Sequence, residues 1–212
     1  VNRIAALVLL LCASPVAAQA QDDLPAAMPG IVAACLDDTL TRDERRAAFK
    51  ASGLRLLDPA DRATAQAELT PANLVEPFVL SSGTPLSDAA IAADPIDLAG
   101  FIKYDVDRME IFATYDDVYA AADPSLRLFV RTTDIEPPGY KGCHIALPPG
   151  DWTAAIGAIL GAPSEDPFGL NWVSFDVFDA PPATVWLTSV SPAAFGGTPT
   201  LPQLTLTPPL TF

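Results

Sequence analysis

The sequence predicts an α+β domain, with N-terminal helices packed on a mostly antiparallel sheet formed by the C-terminal half. Two observations carry that prediction. Helix punctuation gathers before residue 110: Thr41-Arg42-Asp43-Glu44 has the form of a capping box, and Asp58-Pro59 and Asp94-Pro95 each place a capping carboxylate before a proline. Period-two apolar alternation gathers after residue 125, in Leu126–Thr132, Tyr140–Leu147, Asn171–Asp179 and Ala183–Val190. These runs follow one another as pairs, joined by Glu136-Pro137-Pro138-Gly139 and Ala180-Pro181-Pro182, so antiparallel hairpins are expected rather than a parallel sheet.

The first twenty residues have the pattern of a cleaved export signal. Arg3 precedes an apolar run, Ile4–Cys12, which Ser14-Pro15 breaks. Ala18-Gln19-Ala20 then supplies the small-x-small site, with cleavage expected after Ala20. The run is too short to cross a bilayer as a helix, so no transmembrane span is expected in the mature chain. Residues 21–212 form one domain in this reading, with a Pro/Thr-rich tail from about 191, in the periplasm or secreted. Removal of Cys12 leaves Cys35 and Cys143. An even cysteine count in an exported protein predicts a disulfide.

Residues 22–30, with Pro25 and Pro29, read as a leader into a helix over Ile31–Leu40, whose apolar stripe carries Cys35. The capping box opens a helix to about Ser52, with Gly53 at its left-handed end. Asp58-Pro59 opens another, to about Leu69, and Thr70-Pro71 begins a further short turn. Ser87 or Asp88 caps an Ala-rich segment to Ala93. Leu98, Phe101, Ile102, Asp105 and Met109 then share helical spacing, which predicts a helix to about Arg108, with Met109–Tyr115 open to a strand reading. In the first hairpin Cys143, Ile145 and Leu147 share the core face, and His144 points the other way. Asp151 caps a short helix, Trp152–Leu160. In the second hairpin Phe178 is expected opposite Thr184, Asp176 opposite Trp186 and Ser174 opposite Thr188. Leu204-Thr205-Leu206 is expected to add an edge strand, because prolines surround it.

The chain has a formal net charge of −14, which disfavours nucleic acid and anionic lipid as partners. It lacks a nucleophile elbow, a phosphate loop, a dinucleotide fingerprint and a His/Cys cluster of zinc spacing, so no catalytic residue, cofactor or metal site is predicted. The single histidine, His144, adjoins Cys143, but neighbours in a strand face opposite ways and a disulfide removes the thiol. It is expected to be a surface or hydrogen-bonded histidine. The acidic pairs, Asp37-Asp38, Asp116-Asp117, Asp105 with Asp107 and Asp176 with Asp179, read as solvated charge.

One surface stands out. Trp172, Asp176, Phe178 and Trp186 share the polar-aromatic face of the second hairpin, where indoles could stack on a sugar or grip a peptide. The sequence therefore predicts a non-catalytic binding or envelope-interaction protein with a protein, peptide or glycan partner. A periplasmic hydrolase using His144 or an acidic pair is the alternative.

Overall fold

A computed structural model of the chain describes residues 15–82, 97–112, 115–134, 141–161, 172–177, 183–188 and 200–207. The described helices are α1 (Pro15–Leu36), α2 (Arg42–Ala51), α3 (Pro59–Ser82), α4 (Leu98–Phe112) and α5 (Thr153–Leu160). The strands are β1 (Leu54–Leu56), β2 (Asp116–Ala121), β3 (Phe129–Asp134), β4 (Lys141–Ala146), β5 (Trp172–Val177), β6 (Ala183–Thr188) and β7 (Gln203–Thr207). They form one seven-stranded sheet in the order β1-β2-β3-β4-β7-β6-β5, every pairing antiparallel. The expected α+β class is the observed one.

Helices cover both faces of the sheet. On the first face Leu54, Tyr119, Val130, Cys143, Ile145, Leu204, Leu206, Val185 and Leu187 bury against Met28, Ile31, Val32 and Cys35 of α1, Phe49 of α2 and Ile156 of α5. On the second face Val118, Ala120, Ala146 and Leu201 bury against Leu57, Ala65 and Leu69, the last two from α3. The strand alternation decides which residue goes where, so Cys143 meets α1 while His144 lies on the α3 face.

The caps explain where several helices start. Thr41 is the N-cap of α2; its amide donates to Glu44 Oε2 at 2.9 Å, and the Glu44 amide donates to Thr41 Oγ1 at 3.3 Å, which completes the capping box. Gly53, at φ +79°, takes the left-handed position after the helix, which is strained for residues with a Cβ. Asp58 Oδ1 accepts from the amides of Ala60 and Asp61 at 3.0 and 3.1 Å, with Pro59 in the first turn of α3. The helix expected to be capped by Asp151 starts one residue later: its N-cap is Trp152, with no side-chain cap bond, and Asp151 Oδ1 accepts from the Thr153 amide at 2.9 Å from one position further out.

Several boundaries differ from expectation. The first helix spans Pro15–Leu36 rather than Ile31–Leu40, and runs through Pro25 and Pro29. Burial of Met28, Ile31, Val32 and Cys35 along one stripe outweighs the amide donors those prolines lack. It ends where the Asp37 carboxylate takes the Thr39 amide and hydroxyl, at 3.0 and 2.6 Å. The helix opened by Asp58-Pro59 continues through Pro71 and Pro77 to Ser82. The Thr70 hydroxyl donates back to Gln66 O at 2.8 Å just before Pro71. Helix α4 extends to Phe112, so Met109–Phe112 is helix and not strand, and the carboxylate at its start is Asp97, whose Oδ1 accepts from Gly100 N at 3.0 Å. Asp94-Pro95, the segment from Ser87 to Ala93, and the 136–139 turn lie outside the described residues.

The last strand is the largest departure. Strand β7 is not at an edge but between β4 and β6, and it joins the second hairpin to the rest of the sheet. Pro202 and Pro208 flank Gln203–Thr207 without interrupting it, so its amides are free to pair on both sides. The second hairpin is also slipped by two residues from the expected register: Ser174 is opposite Trp186, Asp176 opposite Thr184 and Trp172 opposite Thr188. A slip of two preserves which residues share a face.

Candidate functional site

The structure joins Cys35 to Cys143, with Cα atoms 5.7 Å apart and a sequence separation of 108. Both are buried. The bridge fastens the last turn of α1 to the centre of the sheet, the docking the two apolar stripes predict. Closing a loop of that length constrains the unfolded chain by about 5 kcal/mol.

Beside the bridge, α2 turns its stripe Arg42, Arg45, Arg46 and Phe49 toward the sheet, at i, i+3, i+4 and i+7. Asp117, at 2 % exposure, receives both arginines that reach it. Arg42 Nε and Nη2 approach Oδ2 and Oδ1 at 3.1 and 2.7 Å, and Arg46 Nε and Nη2 approach the same oxygens at 2.7 and 2.8 Å. The Tyr119 hydroxyl donates to Oδ2 at 3.2 Å. Burial works against the charge of this carboxyl, but the hydrogen bonds from Arg46 and Arg42 outweigh it and hold the group well below the usual carboxylate range. Arg45 is buried, and bonds the Ala34 and Asp37 carbonyls at 3.2 and 3.3 Å and Asp134 Oδ2 at 3.1 Å. Three arginines therefore tie α1, α2, β2 and β3 together around the disulfide.

The opposite face is different. Asp116, one residue from Asp117, faces α3's side of the sheet and pairs with Arg131 instead, at 2.7 Å to Oδ2. The two carboxylates thus lie on opposite sides of one strand and cannot act as a pair. Both are buried, so the expectation of solvated charge fails for them. Distant arginines neutralise them, and that is what allows β2 to be buried along its whole length. Burial raises the Asp116 carboxyl against the opposing pull of Arg131.

His144 lies directly between Arg131 and Thr205 in the register. It is 7 % exposed, and its Nδ1 has no hydrogen-bond partner among the described residues. The expectation of a surface position is corrected: period two turned His144 away from the disulfide core, but α3 covers the face it turned to. Burial, together with the Arg131 charge, pushes the imidazole down to about 3, so it is neutral at physiological pH. Asp116 Oδ1 and Gln203 Oε1 are also buried without partners among the described residues. Each such atom costs about 1–3 kcal/mol relative to a bonded one.

The hairpin surface is placed at the level of backbone and register. Trp172, Ser174 and Asp176 alternate with Val173, Phe175 and Val177 on β5, and Thr184, Trp186 and Thr188 alternate with Val185 and Leu187 on β6. Val185 and Leu187 belong to the disulfide-side core, so the tryptophan positions fall on the other side. Trp186 is opposite Thr205, in the same cross-strand row as His144. Phe178 lies outside the described residues. The third tryptophan, Trp152, is buried and donates from Nε1 to Pro148 O at 2.8 Å.

The arginine clasp was missed from sequence. Its signal was present: Arg42, Arg45, Arg46 and Phe49 make one continuous helical stripe, an unusual face to leave in water. Among the described residues, no helix is long and apolar enough to cross a membrane. No family model matches the chain, and no curated protein or solved structure shows significant similarity to it.

Proposed function

We propose that the protein is an exported, non-catalytic binding or envelope-interaction protein that meets its protein, peptide or glycan partner through the second hairpin. The observation that supports this reading is the register of β5 and β6. It gathers Trp172, Ser174, Asp176, Thr184, Trp186 and Thr188 on one side of a hairpin whose outer strand ends the sheet. Two indoles, three hydroxyls and a carboxylate are the chemistry that stacks on and hydrogen-bonds to a sugar or an extended peptide. The buried Cys35–Cys143 bridge supports export, because such bonds persist in oxidising compartments. His144 gives the hydrolytic alternative no support, since a nearly inaccessible imidazole held at about 3 is a poor base at neutral pH.

Intrinsic tryptophan fluorescence of the oxidised protein tests the reading. Iodide is expected to quench part of the emission, and titration with envelope glycan fragments or unstructured peptides is expected to protect it. Trp186→Ala should abolish that protection. Quenching no greater than in unliganded Trp186→Ala, with neither ligand class altering the spectrum, would reject the hairpin as a binding surface. Hydrolysis of an ester, peptide or glycan substrate that is lost in His144→Ala would reject the non-catalytic reading.

A further inference from the structure

We propose that α3, with α4 packed on it, is a displaceable cover that opens as a unit while the disulfide side of the sheet stays closed. The two sides are held in different ways. On the disulfide side a covalent bridge, a large apolar cluster and the Arg42, Arg45 and Arg46 ion pairs all join helix to sheet. On the α3 side the apolar contact among the described residues is built around Leu57, Ala65 and Leu69. Beyond it the sheet under cover is polar: Asp116, His144, Gln203 and Thr205 are each more than nine-tenths buried.

The unpartnered atoms fall on one side. Asp116 Oδ1, His144 Nδ1 and Gln203 Oε1, the buried side-chain atoms without partners among the described residues, all belong to the α3 face. Each regains a hydrogen bond when water reaches it, so opening α3 relieves a cost that closing it imposes. Opening the disulfide side would relieve none of them. The bonds that hold α3 from the sheet side include Gln203 Nε2 to Glu68 O at 2.9 Å and the Arg127–Glu68 ion pair, both at one residue of the helix. Arg55 of β1 also reaches α3, at Asp61 Oδ2 at 3.3 Å, but this pair and the Arg127–Glu68 pair are partly exposed, where ion pairs contribute little, which suits a cover that swings away whole. Displacement would expose Gln203, Thr205 and His144 beside the Trp186 position, which widens the hairpin surface. That consequence rests on the proposed function; the opening itself does not.

Native-state hydrogen exchange of the oxidised full chain, read by mass spectrometry, tests this. Three unpaired atoms correspond to roughly 100-fold less protection for amides in 59–71 than for those in 141–147 and 203–207. A difference of tenfold or more supports the cover; a smaller one, with all segments opening together, overturns it. His144→Leu removes one unpaired nitrogen and is expected to slow exchange in 59–71 about tenfold. Unchanged or faster exchange there in the folded variant would also overturn the proposal. If that variant does not fold, the wild-type comparison decides. Loss of ligand binding at the hairpin would leave the exchange result untouched.

Discussion

Replacing Asp117 with alanine removes the single carboxylate on which Arg42 and Arg46 converge. Removing one partner of a buried ion pair costs about 3–5 kcal/mol, because charge is left behind without compensation. Here the arginine side chains are 34 % and 37 % exposed, so both can recover water, and the cost belongs near the lower figure, about 3 kcal/mol. For a domain of this size that is a fall in Tm of roughly 6–12 °C. Urea unfolding followed by far-UV circular dichroism would measure it as a lowered midpoint with an unchanged slope. Asp117→Asn should lose somewhat less, since one acceptor oxygen remains. The pH dependence has a definite sign. The folded carboxyl titrates below its unfolded counterpart, so its contribution is fully present above about pH 4 and is lost as pH falls through the folded value. A loss below about 1 kcal/mol in Asp117→Ala, or wild-type acid sensitivity retained below pH 4, would refute the claim that this carboxylate anchors α2.

His144 predicts a separate acid effect at higher pH. Its folded value lies below the unfolded 6.5, so stability is complete above that value and falls as pH drops from about 6.5 toward 3, with a ceiling of about 5 kcal/mol; His144→Leu should flatten the slope of the urea midpoint between pH 6.5 and 4. Cys35→Ser should lower stability by about 5 kcal/mol at most, less whatever structure the unfolded chain retains, and a midpoint unchanged from the oxidised wild type would contradict the bridge's role. Thr41→Ala should cost about 1 kcal/mol through loss of the capping box, measurable as a shifted thermal midpoint.

Local chemistry was legible in the sequence; long-range order was less so. The capping box at Thr41, the Asp58-Pro59 start and the inward face of Cys143 depend on residues close in sequence or on a strict period of two, and the partnership with Cys35 followed from the cysteine count. Strand β2 was not legible, because Asp116-Asp117 and two alanines do not look like a buried strand until Arg42, Arg46 and Arg131 arrive from elsewhere. The central place of β7 was also hidden. Its flanking prolines read as edge signals, and only pairing with both β4 and β6 shows that they bracket the strand. The hairpin slip has the same origin, since a five-residue link permits either register and the pairing of β6 with β7 selects one. For His144 the direction was readable but the cover was not, because α3 continues through two prolines that local rules take as stops.

The most direct test of the account is a thiol count on protein recovered from an oxidising compartment and unfolded in guanidinium without reductant. A covalent tie between α1 and β4 predicts that neither Cys35 nor Cys143 reacts, and that both react after reduction. Reaction of both Cys35 and Cys143 before any reductant is added would contradict the staple on which both the fold's firm side and the export reading rest.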